Sequence, residues 1–282
     1  MITLSAFADE AASSLAGQIE ALHRNRISYI ELRGIDGRNI KTISLKEAEG
    51  YSRQLEEAGI KVWAIGSPIG KSEIAGDFET VLQEARHVFA LANIFHTKRV
   101  RIFSFFHAYD AREEVLRRLN LLVAEADKFH VTCCHENEKG IYGDTAARVV
   151  DILGHVEGLE CVYDPANFIQ VGERADDTLP LLHARSDYFH IKDVVSATGA
   201  LVPAGYGDGQ IERLVSMIDG DKTLTLEPHL AIFDGYAAID DTAMKNKFTF
   251  RTNGEAFDAA VGALKEVLVR AGYRETEKGF VR

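Results

Sequence analysis

Four stretches of this chain run apolar and then end in a side chain able to bind a cation or carry a proton. Residues 131–138 (VTCCHENE) end in imidazole, acid and amide around Glu136. Residues 159–167 (LECVYDPAN) deliver Asp164, residues 187–193 (DYFHIKD) deliver His190, and residues 223–229 (TLTLEPH) deliver Glu227. A buried parallel strand reads as a continuous apolar run, and in α/β proteins chemistry gathers at its carboxyl end. Side chains alternate along a strand, so Cys134 shares a face with Glu136, Val162 with Asp164, and Thr225 with Glu227. Brought to one mouth, two glutamates, an aspartate and a histidine form a site for one divalent cation. Each residue alone says little, since a lone strand histidine is more often a hydrogen-bonded core or surface group. Jointly they say more, because clustered carboxylates repel one another without a cation. The expected ligands are therefore Glu136, Asp164, His190 and Glu227. The ion is Mn²⁺, Mg²⁺, Co²⁺ or Zn²⁺, since carboxylate and imidazole suit these and thiolate ligands are absent.

Neighbouring polar residues sort around that quartet. Glu138 shares the face of Glu136 but lies further out, whereas His135 and Asn137 point to the opposite face. Lys192 follows His190 by two residues and so faces the site, either contacting substrate oxygen as a catalytic group or pairing with Asp193 or Glu227. Arg33, Ser67, Lys71 and Asn167 stand at other strand ends and are expected to contact substrate, although Arg33 and Lys71 could equally be solvated cations. The run Gly205-Tyr206-Gly207-Asp208-Gly209 precedes a helix, a weak phosphate signal that a simple turn also explains.

The elements that must position these groups alternate along the chain. Strand-like runs occupy residues 2–7, 27–32, 61–65 and 99–105 before the four already named. Between them lie amphipathic runs: Leu15, Ile19 and Leu22 form one stripe, and Val81, Ala85, Val88 and Phe89 another. Ser44 and Glu47 form a capping box for a helix ending near Gly59, Asp77 can cap the next, and Thr252 with Glu255 announces the last. Other helices fall near residues 111–126, 145–153, 177–184 and 211–218, and a long polar loop follows Glu227. Strict alternation of eight strands with eight helices demands a parallel sheet, and the length suits one α/β (β/α)8 TIM barrel across residues 1–282.

Composition bounds the partners. The chain has 282 residues, 46% hydrophobic, with 43 acidic against 32 basic side chains and a formal net charge of −11. That balance opposes a phosphate-backbone binder, so no nucleic acid is expected. No run of about 18 apolar residues suggests a membrane span. The opening MITLSAFADE lacks a basic secretory leader, and the three cysteines (Cys133, Cys134, Cys161) lie in core strands without CxxC spacing. These features fit reduced thiols in the cytoplasm.

With those residues in view, the chain resembles the sugar phosphate isomerase/epimerase superfamily of xylose-isomerase-like TIM barrels. The resemblance runs from FADE through GSPIGK, RIFSFF, HENE, DPAN and FHIKD to LEP. It implies the same quartet as metal ligands, with Glu136 and Glu227 doubling as the acid/base pair. The sugar epimerases of the family place a histidine where this chain has Asn167, and a different sequence where it has Lys192-Asp193. The resemblance thus implies an isomerase or epimerase acting on a small carbohydrate by proton abstraction beside a cation-polarised carbonyl, through an enediolate. A lyase or dehydratase expelling a β-leaving group is the alternative, and a non-catalytic barrel subunit a third. A homo-oligomer is left open.

Overall fold

Each apolar run becomes a strand flanked by a helix, and the strands close on themselves. The computed structural model describes residues 1–231 and 248–282. Its barrel strands are β1 (Ile2–Ala6), β2 (Tyr29–Leu32), β3 (Lys61–Gly66), β4 (Arg99–Ile102), β5 (Thr132–Glu136), β6 (Glu160–Tyr163), β7 (Tyr188–Ile191) and β8 (Lys222–Leu226). Successive strands pair in parallel, and β8 returns to β1 from Ile2↔Lys222 to Ala6↔Leu226. Around them run helices α1 (Leu15–Arg24), α2 (Leu45–Glu57), α3 (Phe78–Ile94), α4 (Arg112–Asp127), α5 (Ala146–His155), α6 (Pro165–Gln170), α7 (Ala175–Leu182), α8 (Ile211–Ser216) and α9 (Asn253–Arg270). This is the (β/α)8 barrel.

Alternation divides the packing into two layers. On β5, Cys133 joins the large cluster between strands and helices, whereas Cys134 packs inside the barrel with Ala64, Val162, Tyr188 and Trp63. Capping chemistry sets the helix starts. Ser44 and Glu47 exchange both bonds of the capping box on α2, and Asp77 accepts from Glu79 and Thr80 at α3. At α9 only half of the expected box forms: Thr252 accepts from the Glu255 amide, while the Glu255 carboxylate turns to the Arg251 amide.

Four local features depart from the simple alternation of strand and helix. The strand expected over residues 99–105 stops at Ile102, because the Phe103 and Phe105 amides donate to Ile69 and Gly70 carbonyls of the β3 loop instead of to the ladder. The DPAN stretch builds an additional helix, α6, with Asp164 as N-cap and Pro165 in the first turn. Part of the loop before α8 forms a hairpin of Asp193–Val195 with Ala200–Val202. A second hairpin, Arg274–Thr276 with Gly279–Val281, lies against the amino end of β1 through Ile2↔Phe280. Gly279 is required there, since its φ is +133° and a Cβ would meet the Ile2 carbonyl oxygen at 2.3 Å. The long polar loop after Glu227 lies largely outside the described residues. Among the described residues no helix is long and apolar enough to cross a membrane.

Candidate metal centre

The carboxyl ends of β5 to β8 converge on one point. Glu136 ends β5, Asp164 follows β6 as the cap of α6, His190 lies within β7, and Glu227 follows β8. One ligand atom from each lies within 4.8 Å of all the others. His190 Nδ1 is 3.0 Å from Glu136 Oε1 and 3.2 Å from Glu227 Oε2. All four residues are at most 2% exposed.

The electrostatics are those of a cation-binding cluster. Burial pushes the Asp164 carboxyl up to about 6, with Lys192 opposing and Glu227 and Glu136 adding to the rise. Burial also raises Glu136, but His190 and Arg101 outweigh it and hold the group at about 2. Glu227 likewise lies well below its ordinary value, because Lys192, His190 and His229 overcome its burial. Burial disfavours the His190 cation, yet Glu136 and Glu31 raise its pKa well above the ordinary value.

The donor set fits a divalent ion. Asp164 Oδ1 is committed to the Ala166 and Asn167 amides, which leaves Oδ2 without a well-directed hydrogen bond, as is Glu227 Oε2. Both buried oxygens lie beside the Lys192 ammonium, at 2.9 and 3.7 Å. The four ligand atoms, within 4.8 Å of one another, come close to the span of about 4.2 Å between opposed ligands of a cation with bonds of about 2.1 Å. Glu10, Glu227 and His229 form a second acidic cluster. Arg33 already sits within it, with Nη1 3.0 Å from Glu227 Oε1 and Nη2 3.2 Å from Glu10 Oε1. The quartet, with four donors against three, is the better cation site. The cysteines are not ligands: all three are buried and free, and burial pushes their thiols up.

The remaining candidates take definite places. Lys192 reaches the quartet, with Nζ 2.9 Å from Asp164 Oδ2 and 3.7 Å from Glu227 Oε2. Asn167 donates to Glu136 Oε1 at 3.3 Å and to the Asn137 carbonyl. Lys71 pairs with Glu138 at 2.9 Å and lies 4.5 Å from the centre of the Phe103 ring. Two of the expected substrate contacts are engaged elsewhere. The Ser67 hydroxyl donates to the Arg101 carbonyl and accepts from the Ile69 amide, which ties it to its own loop. Arg33 is 3% exposed and bridges Asp9, Glu10 and Glu227, so it is not a solvated cation. His135 does face away, toward Ser104. In the glycine run the amides of Gly205, Gly207 and Gly209 donate to the Asp193 carboxylate, an anion supplied by the chain itself.

Sequence reasoning passed over Arg101, Glu31, Glu10 and His229. Arg101 Nη1 lies 3.0 Å from Glu136 Oε2, so each glutamate of the quartet has one oxygen on an arginine and the other toward His190. A charge inside an apolar run such as RVRIFSF or ISYIEL was the available signal, because unpaired buried charge is costly. His229 also takes the left-handed backbone region, at φ 47°.

Known proteins share this architecture. A 3-dehydroshikimate dehydratase of Bacillus anthracis is 21% identical over 186 residues, spanning 64% of this chain and just under two thirds (66%) of that protein. The structure of an L-ribulose 3-epimerase aligns over 96% of this chain and 95% of its own at 16% identity, with a TM-score of 0.72. That of the IOLI protein with a bound zinc atom aligns over 95% and 99% at 16% identity, with a TM-score of 0.70. At such identities the structural likenesses show the fold. Since the model of the xylose isomerase-like TIM barrel family matches residues 19–241, most of the sequence, the chain belongs to that family.

Proposed function

We propose that this chain is a divalent-cation-dependent isomerase or epimerase of a small sugar or sugar derivative. The observation that carries the reading is the pair Glu136 and Glu227, both buried, both held ionised, and both turned toward His190. Glu136, Asp164, His190 and Glu227 would hold the ion, whether Mn²⁺, Mg²⁺, Co²⁺ or Zn²⁺. When bound, it supplies Lewis-acid polarisation of a carbonyl, which acidifies the neighbouring C–H.

The chain's own residues supply the proton chemistry. Arg101 clamps Glu136 through Oε2 and Arg33 clamps Glu227 through Oε1, which fixes both carboxylates in orientation. Either glutamate can take the proton from carbon and pass the same proton to the adjacent carbon. Inversion instead requires the other glutamate to gain a proton first, from solvent or from the Lys192 ammonium, before it delivers that proton to the opposite face. The Lys192 ammonium, 2.9 Å from Asp164, stands ready to donate to a substrate oxygen as negative charge develops there. Asn167 steadies Glu136, and Lys71 carries the outer wall with Glu138. The ketose epimerase and the zinc-bearing protein among the structural neighbours support an isomerase with a metal ion.

A second reading, a dehydratase, is favoured by Lys192 and by the similarity to a dehydratase. There Lys192 would protonate a departing hydroxyl. Turnover of candidate hydroxy-ketones in D₂O with added Mn²⁺ separates the two. The isomerase gives product of the substrate's own formula, with deuterium at the reacting carbon. A product lighter by water, formed as fast as substrate disappears and lost in Lys192→Met, would replace the isomerase by the dehydratase. A lack of turnover with each of the four ions would remove both.

A further inference from the structure

One buried carboxylate touches the quartet without belonging to it. Glu31 stands on β2, a strand that does not neighbour β7 in the sheet. Its side chain is fully buried and reaches across the barrel interior, with Oε2 3.2 Å from His190 Nε2. Its other oxygen, Oε1, accepts from the Tyr188 hydroxyl at 3.2 Å. Tyr188 lies two residues before His190 on β7 and so shares its inward face. The imidazole is also held edge-on by Phe7 at 5.1 Å and by Tyr188 at 5.5 Å between ring centres.

We infer that Glu31, itself held by the Tyr188 hydroxyl, is the positioning residue that turns the Nδ1 lone pair of His190 toward the bound cation. This inference rests on the metal-site reading proposed above. Of the two neutral imidazole tautomers, the one with its proton on Nε2 donates to Glu31 and leaves Nδ1 open between Glu136 and Glu227. The other would set a nitrogen lone pair against a carboxylate oxygen at 3.2 Å and point an N–H at the ion. Glu31 therefore selects the first form. A carboxylate on the far nitrogen also raises the basicity of the ligating one, and losing such a partner typically weakens metal binding about 10–100-fold. Tyr188 matters because a free Glu31 carboxylate could rotate away from the ring. The order of importance is then Glu31 before Tyr188, with no contact of either group to the ion itself.

The test reads metal binding rather than turnover. The full-length chain is stripped with chelator and titrated with Co²⁺ or Zn²⁺ against a competing chelator. Glu31→Leu should weaken the apparent Kd about 10–100-fold. Glu31→Gln, whose amide oxygen can still accept from Nε2–H, should recover part of that loss, and Tyr188→Phe should cost less than either. Long-range ¹⁵N NMR on the Zn²⁺-loaded wild type should place the His190 proton on Nε2. If Glu31→Leu does not fold, Glu31→Gln, Tyr188→Phe and the wild-type tautomer decide the matter. Unchanged affinity in the Glu31 variants with a lowered melting temperature of the stripped protein would make Glu31 a packing residue and overturn the inference. A proton found on Nδ1 would overturn it too. A wild type that binds neither ion removes the metal site itself, an outcome distinct from equal binding by wild type and variants.

Discussion

At the mouth of the barrel, Glu136, Asp164, His190, Glu227, Lys192, Arg33 and Arg101 pack charge against charge, each at most 5% exposed. Deeper in the same barrel, Ala64, Cys134, Val162, Tyr188 and Trp63 fill the interior with largely apolar groups. The hairpin bearing Phe280 lies against the amino end of β1. Strands β5 and β7 cross both regions, so the contrast arises within single strands: Cys134 lies below Glu136, and Tyr188 below His190. The difference teaches where stability and chemistry reside. Desolvated ion pairs repay little of their burial cost, so the charged mouth contributes little net stability. The apolar layers supply it, at roughly 25 cal/mol per Å² removed from water. Glu31 with Tyr188 marks the boundary, where a polar pair serves the upper region from within the lower.

That division can be broken most directly at the mouth. Glu136→Gln and Glu227→Gln each remove a proton carrier and a ligand charge, so turnover should fall about 10³-fold or more. Each change also leaves Arg101 or Arg33 short of a buried carboxylate, so a loss of several degrees in melting temperature accompanies it, and turnover is compared at temperatures where both proteins are folded. Near-normal turnover in either variant would take that glutamate out of the mechanism. The reverse pattern is expected at the other end. Phe280→Ala, from a position 2% exposed, should cost about 3–5 kcal/mol in urea unfolding. Its kcat should match wild type at temperatures where the variant is folded. A loss of kcat without a loss of stability would show that the two ends do not divide the work in this way.

A smaller effect sharpens the comparison across one strand rather than along it. His135 faces away from the barrel interior, toward Ser104, and burial lowers its pKa from 6.5 to about 4. The unfolded chain therefore takes up a proton near pH 6.5 that the folded chain refuses until about pH 4. Stability from this group is present above pH 6.5 and declines by about 1.4 kcal/mol per unit as pH falls through that window. Urea unfolding of wild type and His135→Gln, both stripped of metal, should show wild type losing about 1.5 kcal/mol more between pH 6.5 and pH 5. Parallel pH profiles would contradict the depressed pKa. Adjacent residues of β5 thus favour opposite states, Glu136 charged inside the barrel and His135 neutral outside it.

Much of this was written into single strands. The apolar runs ending in Glu136, Asp164, His190 and Glu227 follow from period-two alternation and the carboxyl-end rule, and both act over a handful of residues. The same holds for the Ser44–Glu47 box and for Asp77. In DPAN the signals for an N-cap and a first-turn proline were also local, although the helix they start was expected further on. Other features depend on which strands face one another across the closed barrel, and on their stagger. Glu31 meets His190 across 159 positions of sequence, and Arg33 meets Glu227 across 194. No periodicity within β2 records either partner. Arg33 and Lys71 could be read as solvated cations only because their carboxylates arrive from distant elements. The glycine run before α8 hinted at an external anion, and the tertiary fold answered with Asp193. Local chemistry determines which face a side chain occupies; only barrel closure decides which opposite charge it finds there, because that depends on the strand register set by the whole ring.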